Sequence, residues 1–466
     1  MRRLLATLFI PLLLAGTGAG TTPAISLEAG TFAVVSDIHF NPFDDPDLAR
    51  NLADAPPESW GAILNSGKAR PLAGRGQDTN QPLLASALMA LTAQTGGADF
   101  AIVSGDLLAH RFEQKAAGSL GTASSPELVQ ALAGKTALYV AGALRAALPG
   151  RPVLVALGNN DSDCGDYAIE PGGPFLTFTR ETVRNLAGPD HLGSDFEETY
   201  AAGGYYGLRH PTVPDADILV LNDVLWSAEY RDACGSGGDA AADAMLSWLG
   251  ERLRAAQGAG RRVWLVHHIP VGIDPYATLR SANDLSCPAR TVPLLREPYA
   301  SGFTGLLRAF APVIQANFSG HTHQDSYRLV RDAGGPMGVE KMAPSISPIF
   351  GNNPGFHVFD YDRQSGNLRD FSTWYLANLQ DSTRGAPPEW RREYVFTQAY
   401  DQPDYSPASV ARLTAGLAID GSPAREAFQS LYGVSRGQIG AAAMPAQICA
   451  IGNLDPASFS ACHCGG

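Results

Sequence analysis

The chain has no surplus of positive charge to offer a polyanion: 34 lysines and arginines stand against 46 aspartates and glutamates, a formal net charge of -12. Bulk electrostatics therefore argue against a nucleic-acid duplex as partner. Charged residues are scarce, 17% against 45% hydrophobic in 466 residues, which excludes a disordered, self-repelling chain and supplies a sizeable core for one large domain or two ordinary ones. Beyond the first two dozen residues no apolar run is long enough to cross a bilayer, so no stable membrane span is expected. There is no CxxC knuckle, no internal repeat and no long low-complexity segment.

What is present begins with MRRLLATLFIPLLLAGTGAGTTPA, two arginines, an apolar run from Leu4 to Ala15 and then small residues. That order predicts a secretory signal peptide over residues 1–22, the run being interrupted by Pro11 and shorter than the roughly 20 residues a spanning helix needs. Export places the protein in a secreted or periplasmic compartment and makes the six cysteines disulfide candidates, with about 15 possible pairings. Cys462 and Cys464 flank His463, which reads as a stapled C-terminal tail in preference to a metal site.

Short Val- and Ile-rich runs then recur, each closing on polar residues: Phe32 to His39, Phe100 to Asp106, Val153 to Asp161, Ile218 to Asp223, Val263 to His268 and Val313 to His323. They read as buried strands. Helix-period segments lie between them, over Leu83 to Ala93, Glu127 to Leu148 and Met245 to Ala256, the last with Met245, Leu246, Leu249 and Leu253 on one face. The alternation predicts an α/β fold whose polar residues collect beyond the strand ends. After about Gln380 helix-like stretches, Ser406 to Leu417 and Ala424 to Leu431, predict a C-terminal helical lobe.

The strand-end residues are Asp37, His39, Asp106, Asn159, His268, His321 and His323. Carboxylate, imidazole and amide together suit zinc, manganese or iron, and two ions sharing one carboxylate could clamp a phosphoryl group. The pair Asn159 and Asn160 in VLVALGNND would otherwise be an ordinary turn.

These motifs, DIH, GD, GNND, HHIP and GHTH, resemble the calcineurin-like metallophosphoesterases. GDLLAH, GGYYGL, HIPVG, PSISPIFGNNPGFHVFDYD and LANL are similar to the acid sphingomyelinase-like branch of that family, and the match runs from about Phe32 to Cys462. The resemblance implies a four-layer α/β/β/α sandwich, with residues 30–380 as catalytic domain and 381–466 as a helical, disulfide-stapled subdomain. It implies two divalent metal ions, zinc first, with manganese or iron also accommodated. One would be held by Asp37, His39, Asp106 and His323, the other by Asp106, Asn159, His268 and His321, with Asp106 bridging. His267 is left unassigned, because adjacent side chains of an extended segment face opposite ways. A water activated between the ions would then attack phosphorus in line with the leaving group.

One position departs from the pattern: a histidine that serves the leaving oxygen in most of the family is here Asn160, an amide that has no proton to give. His110 in GDLLAH, which the branch also places near the leaving group, is the expected replacement. Alternatively the substrate has a leaving group that needs little protonation, as in the endopolyphosphatases with their Asn-Asn-Asp variant. The branch's sphingolipid enzymes carry a saposin module before the catalytic domain, and the short stretch between leader and FAVVSDIH leaves no room for one, which favours soluble phosphodiesters or nucleotides. The branch further implies pairings Cys449–Cys462 and Cys234–Cys287, with Cys164 and Cys464 unassigned. Asn317 begins a glycosylation sequon inside an expected strand, where burial is expected. The resulting expectation is a monomeric exported phosphoesterase acting on a small phosphoester or on polyphosphate; a catalytically silent phosphate-binding module is the rival of a different class.

Overall fold

The computed structural model describes residues 28–68, 70–235, 237–281, 286–437, 439–440 and 442–465, so the expected signal peptide lies outside the described residues. Among the described residues twelve strands are formed: β1 Ala29–Val35, β2 Phe100–Ser104, β3 Val153–Ala156, β4 Tyr206–Arg209, β5 Ala216–Val220, β6 Arg262–Val266, β7 Ile314–Ser319, β8 Ser326–Asp332, β9 Gly335–Met342, β10 Gly355–Asp362, β11 Leu368–Leu376 and β12 Trp390–Val395. They make two six-stranded sheets, ordered β12-β11-β10-β1-β2-β3 and β4-β5-β6-β7-β9-β8. In the first, β1, β2 and β3 are parallel and β10 to β12 antiparallel. In the second, β5, β6, β7 and β9 are parallel, with β4 and β8 antiparallel at the edges.

The six apolar runs became the parallel strands β1, β2, β3, β5, β6 and β7, and they are apolar on both sides because both faces are covered. One face of each sheet meets the other sheet. Phe32 of β1 stacks on Phe100 and Phe359 of its own sheet at 4.9 and 5.1 Å, and meets Trp264 and Phe318 of the opposite sheet at 5.1 and 5.5 Å. Each such ring, wholly buried, contributes roughly 1.5–3 kcal/mol through the water it excludes.

Helices cover the outer faces. Pro126–Ala147 packs between Gln81–Gln94 and Pro174–Ala187, the last of these against β3, while Gly238–Gly258 packs on β6 beside Tyr299–Ala309. The expected α/β/β/α layering is therefore present. Helix starts follow local chemistry: Ser125, Asp274, Ser406, Ser422 and Asp455 each accept a first-turn backbone N–H, and each is followed by a proline whose missing N–H costs nothing there.

The expected C-terminal helices are present, among them Pro407–Leu417 on β9 and Met444–Gly452 on β8, and the stretch after 380 also supplies β12, an edge strand on the first sheet. Its WRREYV sequence carries charge because an edge strand needs only one covered face. The disulfides are Cys164–Cys234, Cys287–Cys464 and Cys449–Cys462. The expected Cys449–Cys462 bridge is formed and the expected Cys234–Cys287 bridge is not. Flanking the same strand does not bring two cysteines within the roughly 4.4–6.8 Å between Cα atoms that a bridge requires. Cys462 and Cys464 are both bridged, as a stapled tail demands.

Candidate metal centre

All parallel strands of both sheets run toward one edge of the sandwich, so the loops after β1, β2, β3, β6 and β7 meet there. Asp37, His39, Asp106, Asn159, His268 and His323 are buried, and His321 is half-buried. Holding them requires unusual backbone. Asp37, His39, Asp106, His321 and His323 all have φ between 45° and 69°, the left-handed region that costs a non-glycine residue roughly 1–3 kcal/mol and clusters at functional sites. The glycines of GD, GN and GH are needed for close approach. A Cβ on Gly105 would lie 2.6 Å from His268 Nδ1, one on Gly158 2.2 Å from Asp106 Oδ1, and one on Gly320 1.9 Å from Ser36 Oγ.

The distances define the cluster. Asp106 Oδ2 is 3.3 Å from His39 Nε2 and 3.2 Å from His268 Nε2. His39 Nε2 is 3.0 Å from His323 Nε2, and Asp37 Oδ1 lies 3.5 Å from the latter. Asn159 Oδ1 is 3.0 Å from His268 Nε2 and 2.9 Å from His321 Nδ1. Ligand atoms fall within 4.8 Å of one another in three overlapping groups: Asp37, His39 and Asp106; Asp106, His268 and His321; and His39, His110 and His323.

Whether cations fit can be read from the protons. His39 Nδ1 bonds the Leu108 carbonyl at 2.9 Å and His268 Nδ1 bonds the Ser104 carbonyl at 2.7 Å, so in the neutral rings the hydrogen sits on Nδ1 and the lone pair on Nε2. Both lone pairs then point at the oxygens of Asp106. Asn159 donates its Nδ2 to Asp166 Oδ1 at 2.6 Å, which turns its carbonyl oxygen toward the same place. Asp37 Oδ1 is buried without a hydrogen-bond partner among the described residues. Acceptors facing acceptors in a buried space call for a proton or a cation between them.

Protons alone give a perturbed picture. Burial opposes charge on His39 and His268, yet Asp106 and its neighbours hold them protonated to about 9 and about 10. Burial pushes His321 and His323 the other way, to about 4 and about 3, helped by the histidines beside them. Asp37 is held down at about 2, because His323, His39 and His268 outweigh the burial that would raise it. Imidazole binds a metal in its neutral form, so cations entering this donor set displace those protons. The residues fit two divalent ions.

The remaining candidates have definite places. Asn160 donates N–H to Asp106 Oδ1 at 2.8 Å and Nδ2 to Asp106 Oδ2 at 3.0 Å, so its backbone N–H and one of its two amide hydrogens are spent on the carboxylate. His110 stacks on His39 with centroids 3.8 Å apart, and its Nδ1 meets Asp78 Oδ1 at 2.9 Å. His267 turns away from Asp106 toward Asp223 Oδ2 and Asn317 Oδ1, each 2.8 Å away. Asn317 is 4% exposed, so its sequon is inaccessible.

Sequence reasoning did not assign Asp161, Asp166, Asp78 or Tyr167. Asp161, wholly buried, accepts N–H from Asp106, Leu107, Leu108 and Gly158 at 2.7 to 3.1 Å and so ties two site loops together. Its place at the end of GNND was the available signal. Tyr167 has φ of 56° and sets its hydroxyl 3.4 Å from His321 Nε2; nothing local in the sequence marks it.

Fold and site together define a two-sheet α/β sandwich with a histidine and carboxylate cluster at its strand ends, built to take two cations. Residues 340–464 match the family described as acid sphingomyelin phosphodiesterase C-terminal region. The chain is 28% identical over 459 residues to "Cyclic GMP-AMP phosphodiesterase SMPDL3A" of Mus musculus, covering 96% of this chain and 95% of that protein. It is 26% identical over 449 residues to "Acid sphingomyelinase-like phosphodiesterase 3b" of Homo sapiens, covering 93% and 90%. Among solved structures, a dimetal phosphatase from Danio rerio aligns with a TM-score of 0.40 and 10% identity over 74% of this chain and 95% of that one. The chain is thus similar to the acid sphingomyelinase-like phosphodiesterases over more than nine-tenths of its length.

Proposed function

We propose that this protein is an exported phosphoesterase that hydrolyses phosphodiester bonds of small molecules with two divalent ions, zinc first. The observation that carries the reading is Asp106, whose Oδ2 lies 3.3 Å from His39 and 3.2 Å from His268, one carboxylate between two halves of a donor set. Asp37, His39, Asp106 and His323 would hold one ion and Asp106, Asn159, His268 and His321 the other. Such a pair supplies a nucleophilic water near neutral pH and positive charge against the phosphoryl oxygens.

The chain's own residues do the rest. Asn160 holds the Asp106 carboxylate through both its oxygens, Asp161 holds the Asp106 backbone N–H, and Asp166 turns the Asn159 amide so that its oxygen faces inward. His110, held by Asp78 at the edge of the cluster, would give the leaving oxygen its proton, the role Asn160 cannot fill. Three disulfides suit an oxidising compartment, and no helix among the described residues is long and apolar enough to cross a membrane. Residues 30–380 are taken as the catalytic unit and 381–466 as its stapled appendage.

The test is hydrolysis of bis-p-nitrophenyl phosphate by protein loaded with zinc or manganese. Activity that disappears in Asp106→Asn is expected. A fully metal-loaded wild-type protein that hydrolyses neither this diester nor polyphosphate would instead mark a silent phosphate-binding module, and faster shortening of polyphosphate than of any diester would mark an anhydride-cleaving enzyme.

A further inference from the structure

The flank of the cluster that carries His110 has features the hydrolytic step leaves unused. Phe350 is 57% exposed, and its ring centroid stands 4.6 Å from that of His323 and 5.2 Å from that of His110. Isolated exposed apolar side chains are common, but this one is fixed against two histidines of the cluster. The loop that carries it is braced from below, with the Pro348 carbonyl accepting N–H from Gly76 at 3.1 Å and from Gly351 at 2.9 Å.

Two exposed arginines accompany it. Arg436 lies against Gly351, the neighbour of Phe350, so closely that a Cβ there would be 2.7 Å from its guanidinium. Arg75 shares a loop with Asp78, the residue that holds His110, and donates Nη2 to Asn353 Oδ1 at 2.8 Å. The arginines feel one another: burial and then the charge of Arg436 lower the pKa of Arg75. Among the described residues neither makes an ion pair with a carboxylate, although the chain carries 46 acidic residues. Adjacent like charges without a counter-ion, beside an exposed ring, are complementary to an anion attached to a planar group.

We propose that Phe350, Arg75 and Arg436 form a leaving-group subsite that takes a planar ring and a second phosphate, so that the preferred substrate is a phosphodiester whose leaving alcohol carries both, as in a 5′-phosphorylated dinucleotide. The assignment rests on the phosphodiester reading of the cluster. The reaction is the same hydrolysis: the oxygen of water bonds to phosphorus, the bond from phosphorus to the 3′ oxygen breaks, and that oxygen takes a proton. The products from pApA are two molecules of 5′-AMP. A cationic group on this side would meet the arginines and be disfavoured.

The experiment compares ApA, pApA and bis-p-nitrophenyl phosphate with metal-loaded full-length protein. The scissile bond of ApA and pApA is the same, so the second phosphate is the only difference. A kcat/KM about 10-fold higher for pApA is expected, from one set of charge-assisted contacts. The double variant Arg75→Ala/Arg436→Ala, altered only at exposed positions, should erase that preference while ApA stays within about 2-fold. Phe350→Ala should lower both dinucleotides by about 10-fold through lost stacking. A binding readout stands apart from turnover: calorimetric affinity for adenosine 3′,5′-bisphosphate should weaken about 10-fold in the double arginine variant. Equal rates on ApA and pApA, or equal losses on both in the arginine variant, overturn the subsite. If the wild type hydrolyses bis-p-nitrophenyl phosphate without preferring pApA, only the subsite fails; if it hydrolyses none of the three while metal-loaded, the parent reading fails with it.

Discussion

Replacing Asp161 should cost more than replacing any exposed carboxylate of this protein, because its two oxygens satisfy four buried backbone donors. Oδ1 accepts from Leu107 N at 2.7 Å and Leu108 N at 3.1 Å, and Oδ2 accepts from Asp106 N and Gly158 N at 2.9 Å each. Asp161→Ala leaves all four unpaired in a region without access to bulk water. An orphaned buried donor costs about 1–3 kcal/mol, so four give about 4–12 kcal/mol, with a water entering the vacated space bringing the value toward the lower figure. That is comparable with the whole stability of a domain, about 5–15 kcal/mol. Asp161→Asn keeps the shape; its oxygen can serve one pair of donors while its NH2 faces the other, for a loss of about 2–5 kcal/mol. Urea unfolding followed by far-ultraviolet circular dichroism measures both, and metal content after dialysis reports on the loops that carry Asp106 and Asn159. A loss below about 1 kcal/mol in Asp161→Ala, with metal content unchanged, would refute the reasoning.

Gly158→Ala places a methyl 2.2 Å from Asp106 Oδ1 and 2.4 Å from Asp106 N, so diester hydrolysis should fall at least about 100-fold with the circular dichroism spectrum unchanged. His210 gives a pH dependence away from the cluster: its Nδ1 accepts from Thr212 N and Val213 N at 3.2 and 3.1 Å, and burial lowers its pKa to about 3 against the opposing charge of Asp99. The folded value is below the unfolded 6.5, so the unfolded chain binds the proton first; this contribution is complete above pH 6.5 and is lost as pH falls toward 3, by up to about 1.4 kcal/mol per unit. His210→Asn, an acceptor that does not titrate, should flatten the urea midpoint between pH 7 and 5. Removing the Cys164–Cys234 bridge by a double serine change should cost about 2–4 kcal/mol and reduce activity more than removing Cys449–Cys462, because the first clamps the loop that brings Asp166 to Asn159 and Tyr167 to His321.

Local sequence determined a good deal by itself. Apolar runs closing on DIH, GD, GNND, HH and GHTH marked the parallel strands and the residues just beyond them, because a strand buried on both faces writes a continuous signal and its carboxyl end is where side chains are free to converge. Helix starts such as Ser125–Pro126 and Ser406–Pro407 are likewise set by local chemistry. Strands β8 and β10 to β12, each antiparallel to its neighbours, carried no such signal: SYRLVRD is charged although mostly buried, WRREYV is charged and half-exposed, and both become strands only because a neighbour offers them a ladder. Tertiary structure alone decided that Asp161 joins two loops, that Asp166 turns the Asn159 amide, that Phe350 lies over His323, and that Cys287 bridges to Cys464 across 177 residues. These are meetings between segments remote in the chain. A residue's chemistry is written at its own position, but whether its oxygen faces a nitrogen, a donor or water depends on how two sheets register and pack, and no local pattern contains that.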